Sequence, residues 1–324
     1  MDTPHTGCEI SNLRILVALG GNAILQRKET GTVKQQFDNI SRTSKELVEL
    51  FKHGDMLTIT HGNGPQVGDI LLRNELARTI LPPMPLDVCG AESQGMIGYI
   101  LQQSLDNELY LQGLSVPVIT MLTQTIVDKN DPAFRNPTKP IGPFYSEVDA
   151  VRLGRQNGWI VKSDGGSVYR RVVPSPKPIS VVEARVIEKM FADGFMIINS
   201  GGGGIPVIRN DDGSLTGVEA VIDKDLTAGL LASMLRVDVL LILTDVQKLA
   251  LNYGKADQKN LDSLTVKEAR SYLQEGQFPS GSMGPKVEAG INFVETTGGK
   301  AVITSLGLAK AALEENVGTT ITNL

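Results

Sequence analysis

Five times along this chain a short apolar run stops abruptly at a small, polar turn. Arg14–Leu19 ends at Gly20-Gly21-Asn22, Met56–Thr60 at His61-Gly62-Asn63-Gly64, and Phe195–Asn199 at Ser200 and the quartet Gly201 to Gly204. Val237–Leu243 ends at Thr244-Asp245-Val246, and Lys300–Thr304 at Ser305-Leu306-Gly307. Helical stretches lie between the runs. Phe37, Ile40, Ser44, Leu47 and Phe51 recur at three- and four-residue steps with Gly54 just beyond, and Pro65 stands where a helix's first turn should begin. A further helix is expected over Val88–Tyr110, leading to a strand at Val116–Leu122. Short buried strands alternating with amphipathic helices predict an α/β fold, an αβα sandwich with a mainly parallel open central sheet. In such sheets ligands bind beyond the carboxyl ends of the strands, where these turns lie.

One stretch breaks the rhythm. Between Gln124 and Pro178 prolines crowd (Pro132, Pro137, Pro140, Pro143, Pro174, Pro176) and no long apolar run appears. A loop of that length without structure is uncommon in a compact domain, so an inserted, protruding lid subdomain is expected over 124–178. It would divide a single domain, 13–324, into a substrate-binding half (13–123) and a mainly nucleotide-binding half (179–324), behind a flexible tail, 1–12.

Composition narrows the function. The net charge of −5 gives no general attraction to nucleic acid or to an anionic membrane. The longest apolar runs, such as Val239–Leu243, fall far short of a membrane span, and Met1–Asn12 has neither the basic flank nor the apolar stretch of a secretory signal. Two cysteines (Cys8, Cys89) and three histidines (His5, His53, His61) offer no disulfide framework and no thiolate or imidazole metal cluster. A reducing compartment, the cytoplasm, is the expected location.

Glycines at a strand end let backbone N–H groups converge on an anion beside the positive end of a helix. One such turn also serves simply to reverse the chain; three in one chain, each directly after a strand, point to a phosphate-rich ligand. The ligand is not held by a P-loop, because no G-x-x-x-x-G-K-[ST] run exists. Gly62-x-Gly64-x-x-x-Gly68 lacks the following acidic strand end of a dinucleotide site. Phosphoryl transfer needs fixed positive charge around the transferring oxygens. Lys224 lies between Asp223 and Asp225 ahead of an apolar helix, Lys286 closes the turn Gly281–Pro285 into another helix, and Lys129 lies in the insertion.

At these residues the chain resembles the amino-acid kinase superfamily and, within it, the carbamate kinases. The likeness rests on Ala18-Leu19-Gly20-Gly21-Asn22-Ala23, on His61 to Gly68, on Asn136-Pro137-Thr138-Lys139-Pro140-Ile141-Gly142, and on Arg170 to Pro176. It continues through Gly201 to Pro206, Val221-Ile222-Asp223-Lys224-Asp225, Leu243 to Val246, and Ser280 to Lys286. Asn22 stands where other members of the superfamily have a lysine. The resemblance implies a homodimer that moves a phosphoryl group reversibly between ATP and carbamate, giving ADP and carbamoyl phosphate, and that runs toward ATP in arginine breakdown. Gly20, Gly21, Asn22, Gly62, Asn63 and Gly64, with Gly202 and Gly203 of the quartet, would cradle carbamoyl phosphate while Lys129 closes from the lid. Lys224 and Lys286 would bridge the transferring group, and Asp225 would orient them. The nucleotide would lie over Thr244, Asp245, Tyr253, Gly281, Ser282 and Met283, with Mg²⁺ on its phosphates. His61 adjoins the second turn, where it either touches ligand or serves the structure.

Two other readings use the same residues: a kinase for a carboxylate such as N-acetylglutamate, and a nucleotide-binding regulatory module without turnover. Asn22 and the long insertion speak against the first. The joint presence of Lys129, Lys224, Asp225 and Lys286 speaks against the second.

Overall fold

The computed structural model describes residues 13–26, 28–51, 55–315 and 317–323. The expected tail with His5 and Cys8, and the helix-ending Gly54 with His53, lie outside these residues. Eight strands form the central sheet: β1 (Arg14–Leu19), β2 (Met56–His61), β3 (Val118–Thr120), β4 (Met196–Ile198), β5 (Val239–Thr244), β6 (Ser263–Thr265), β7 (Lys300–Ser305) and β8 (Thr319–Thr322). Their order is β6-β8-β7-β5-β1-β2-β4-β3, and every neighbouring pair is parallel except β7 with β8. The helices are α1 (Val33–Phe51), α2 (Gly64–Ala77), α3 (Leu86–Leu111), α4 (Glu147–Asn157), α5 (Ala184–Ala192), α6 (Lys224–Met234), α7 (Val266–Gln274), α8 (Met283–Thr297) and α9 (Ala309–Glu314).

The side-chain alternation of β1 shows why the sheet is covered on both faces. Ile15, Val17 and Leu19 point into a core filled from α1, α3 and α9 by Ile40, Leu47, Ile97, Leu101 and Ala309. Leu16 and Ala18 point the other way, into a core filled from α5, α6 and α8 by Ile187, Phe191, Leu231, Val287 and Ile291. A strand apolar at successive positions is thereby buried on both sides, as a parallel sheet requires. β1 leads to β2 on one side, whereas β5 on its other side leads on to β6, β7 and β8, so the connections diverge at β1, and the crevice at its carboxyl end is the ligand position expected of such a topology.

The proline-rich stretch is folded. Lys139–Tyr145, Tyr169–Val173 and Ile160–Ser163 form an antiparallel three-stranded sheet, with α4 burying Ala150 and Leu153. The unit set apart from the main sheet is narrower than 124–178. Gln124–Val127 and Pro178–Val181 instead join a second sheet with Ile205–Arg209 and Leu215–Gly217. Ile141 and Val173 of the insertion pack on Val67, Ile70 and Leu86, which seats it against α2 and the start of α3.

Candidate active site

Parallel pairing brings the glycine turns together. Gly20 donates its N–H to Leu243 O (3.0 Å) and Gly62 to Leu19 O (3.2 Å), so these two residues tie the turns to the neighbouring strand ends. Among the described residues the turn N–H groups of Gly21, Asn22, Asn63 and Gly64 carry no such bond, and space is open beside Gly21 and Gly64. The quartet closes the third side. Gly202, at φ +66°, lies against the Asn63 amide, where any side chain would overlap it, and Asn63 Nδ2 is held in turn by Ser93 Oγ at 2.8 Å. Gly203 departs from the sequence expectation. Its N–H goes to Ser200 O (3.0 Å), and its carbonyl accepts the hydroxyls of Thr125 and Thr227 (2.9 Å each). It is a buried joint with its backbone groups already used, and it presents nothing to a substrate.

His61 falls on the structural side. The ring is buried, Nδ1 lies 2.9 Å from Gly62 O, and a Cβ on Gly201 would sit only 2.4 Å from its Cε1. Burial, with the charge of Lys224 adding, lowers its pKa from 6.5 to about 4, so the imidazole is neutral and Nδ1 donates to the carbonyl.

The catalytic candidates meet at the start of α6. Asp223 caps the helix, its Oδ1 accepting Asp225 N–H at 3.0 Å. This fixes the first turn and directs Asp225 inward, where only 4% of its side chain is exposed. Its Oδ1 takes Lys224 Nζ at 2.5 Å and its Oδ2 takes Lys286 Nζ at 2.6 Å, the latter from the first turn of α8. Burial alone would raise the Asp225 carboxyl, but the two lysines outweigh it and hold the group below the ordinary carboxylate range. Burial lowers Lys224, and nearby Lys286 adds to that effect against the opposing pull of Asp225. Two cations on one buried carboxylate leave a net positive charge, aimed where the stem of Lys224 passes 3.6 Å from the Cβ position of Gly62.

Lys129 stands outside this cluster. It is 56% exposed and lies 3.6 Å from Asp211, itself fully open to solvent on the turn after Ile205–Arg209. The lysine of the insertion that reaches the cluster is Lys139, whose Nζ lies 3.2 Å from Asp223 Oδ2. Lys139 sits in the Asn136–Gly142 motif, so its signal was present. What linear sequence cannot supply is the sheet that turns this lysine inward and leaves Lys129 outside.

One cavity borders the cluster and another lies beside the second glycine turn. One, about 740 Å³, is lined by Asn22, Thr244, Asp245, Tyr253, Ser282, Met283 and Lys286, with Leu249, Ala250 and Phe278 forming its apolar wall. It unites the expected nucleotide residues except Gly281, which adjoins Ser282 without lining it. The other, about 560 Å³, lies between the second glycine turn and the insertion, bounded by Gly64, Pro65, Gly68, Pro140, Gly142 and Arg170. No group of three or more metal-binding side chains occurs among the described residues. Asp245, on the wall of the larger cavity, offers carboxylate oxygens of the kind a phosphate-borne Mg²⁺ accepts.

The model of the amino acid kinase family matches residues 13–305, and the chain belongs to that family. Within it the chain is 52% identical to the carbamate kinase of Thermococcus kodakarensis, covering 95% of this chain and 98% of that protein. It is 48% identical to carbamate kinase 3 of Staphylococcus aureus, covering 96% and 99%. The solved structure of carbamate kinase from Giardia lamblia bound to AMP-PNP superposes with a TM-score of 0.91 at 44% identity, covering 97% of this chain and 99% of that one.

Proposed function

We infer that this protein catalyses the carbamate kinase reaction, in which carbamoyl phosphate and ADP give carbamate and ATP, reversibly. The observation that carries this reading is the Asp225 carboxylate gripping Lys224 and Lys286 between a nucleotide-sized cavity and the convergent glycine turns. The turn N–H groups of Gly21, Asn22, Asn63 and Gly64 receive the phosphate oxygens of carbamoyl phosphate. The 740 Å³ cavity receives ADP, with Tyr253 at its lip near the base. Lys286 lines that cavity and Lys224 passes the glycine turn, so the two ammonium groups flank the path of the phosphoryl group from one ligand to the other. Asp225 fixes both, so that little rearrangement is needed as charge spreads over the transferring oxygens. The leaving carbamate is a stabilised oxyanion, so no proton has to be delivered and no histidine base is required; His61, buried and neutral, fits that absence. Mg²⁺ bound with the nucleotide would supply further charge neutralisation there.

The finer parts of the reading are the ATP-forming direction as part of arginine catabolism, a cytoplasmic address and a homodimer. They rest on the resemblance of sequence. No described helix is long and apolar enough to cross a membrane. Purified protein given ADP, Mg²⁺ and carbamoyl phosphate should form ATP, while ATP with N-acetylglutamate should yield no ADP. The reverse pattern would move the protein to another branch of the family.

A further inference from the structure

The segment leading into α6 is the seam along which the insertion meets the catalytic helix. Glu219 takes Arg171 of the insertion at 2.8 Å, Val221 N–H donates to Pro174 O at 3.0 Å, and Asp223 takes Lys139 at 3.2 Å. Two residues further on stands Asp225. Asp223 divides its two oxygens between these tasks: Oδ1 caps the turn that carries Lys224 and Asp225, and Oδ2 holds the ammonium of Lys139. Its side chain is 14% exposed, so the contact is partly shielded from water, and Lys139 opens the strand that walls the 560 Å³ cavity beside the second glycine turn.

We propose that Asp223 is a positioning residue for phosphoryl transfer: by holding Lys139 of the insertion against the N-terminus of α6, it sets where that ammonium stands when the dianionic substrate enters. This rests on the reading of the site as a carbamate kinase centre. The carboxylate competes with the substrate phosphate for Lys139 and at the same time confines the lysine to one side of the cluster. Removing its charge has two opposed consequences. The dianion is gripped more tightly in the ground state, and Lys139 is no longer held in place for the transfer itself.

Asp223→Asn keeps an oxygen to cap α6 while removing the charge. It should lower KM for carbamoyl phosphate about threefold and kcat about tenfold, with KM for ADP unchanged. Simple loosening of the fold would raise KM instead. Added to Lys139→Met, Asp223→Asn should change KM for carbamoyl phosphate no further, because the partner is gone. Asp223→Ser, which also caps helices, replaces it if the asparagine variant does not fold. A second readout needs no turnover: in Asp223→Asn and in Lys139→Met, protease should cut the 139–173 unit about three times faster than in the parent. A raised or unaltered KM with unaltered kcat, additivity of that KM in the double variant, or parental cleavage rates in Lys139→Met would overturn the proposal. A parent that makes no ATP from carbamoyl phosphate would instead overturn the functional reading, and the cleavage rates would still decide the role of Asp223.

Discussion

Asp225 is the residue on which the site turns, because a carboxylate buried this deeply survives only when its charge is matched. With two lysines in place, removal of either leaves the other, so Lys224→Met and Lys286→Met should both fold. Each should lower kcat by roughly 10²–10³, the loss expected when a fixed donor no longer meets growing charge, and each should still bind ADP by calorimetry. Near-normal kcat in a folded variant would remove that lysine from the mechanism. His61 makes a prediction about stability. Between pH 6.5 and about 4 the unfolded chain holds a proton at this imidazole that the folded chain does not. Its contribution, up to about 3 kcal/mol, is therefore complete above pH 6.5 and is lost as pH falls through that window. Denaturant midpoints measured from pH 7 to 4 should decline, and should decline less steeply in a folded His61→Gln variant. Cys89 is buried, and burial, with Glu92 adding, raises its thiol to about 11; at pH 8 it should resist an aromatic disulfide reagent until the protein is unfolded.

Among the elements, strands and their terminal turns were legible in the sequence because both leave local signals: an apolar run has a period, and a glycine has a reason to stand at its end. The run Phe195–Asn199 shortens to Met196–Ile198, and Val116–Leu122 to Val118–Thr120, the ordinary drift of element ends. Less legible was anything decided by contacts far apart in the chain. Gly203 looks like part of an anion-binding quartet, yet Thr125 and Thr227, from 78 and 24 residues away, take its carbonyl. Lys129 and Lys139 both lie in a proline-rich stretch with no periodicity; Lys139 stands in a motif, but that it turns inward follows from the pairing of Lys139–Tyr145 with Tyr169–Val173. Gly203 adopts φ +92° and would place a Cβ 2.5 Å from Ile222 O, directly ahead of the α6 cap. Gly203→Ala should therefore cost about 1–3 kcal/mol in denaturant melts and disturb turnover as well; full stability would mean the turn is freer than its geometry indicates. The insertion, joined to α2 and to the 219–223 seam, is expected to close on ligand, so protease cleavage within 139–173 should slow when ADP, Mg²⁺ and carbamoyl phosphate are added.

At the scale of the whole molecule, the sheet order would let one crevice serve the two proposed ligands, because the strands on either side of β1 belong to different halves of the chain. The alternation of apolar runs and helices predicted the layered sandwich, but strand order cannot be read from a linear pattern, and the crevice depends on it. For the proposed homodimer, α3 offers a candidate face. Gly98 packs on Thr120 of its own sheet, whereas Gly90 and Gly95 face open space and Tyr99, Tyr110 and Leu111 are exposed. A dimeric mass by light scattering at micromolar concentration is the expected result. The central claim is direct transfer of phosphoryl from carbamoyl phosphate to ADP between the two lysines that Asp225 holds. Phosphorus NMR of the purified protein with ADP, Mg²⁺ and carbamoyl phosphate follows donor and product together. The carbamoyl phosphate signal should fall as the γ-phosphate signal of ATP rises in equal measure, and Lys286→Met should slow both alike. Growth of free phosphate in place of ATP, or transfer at the parental rate in Lys286→Met, would contradict it.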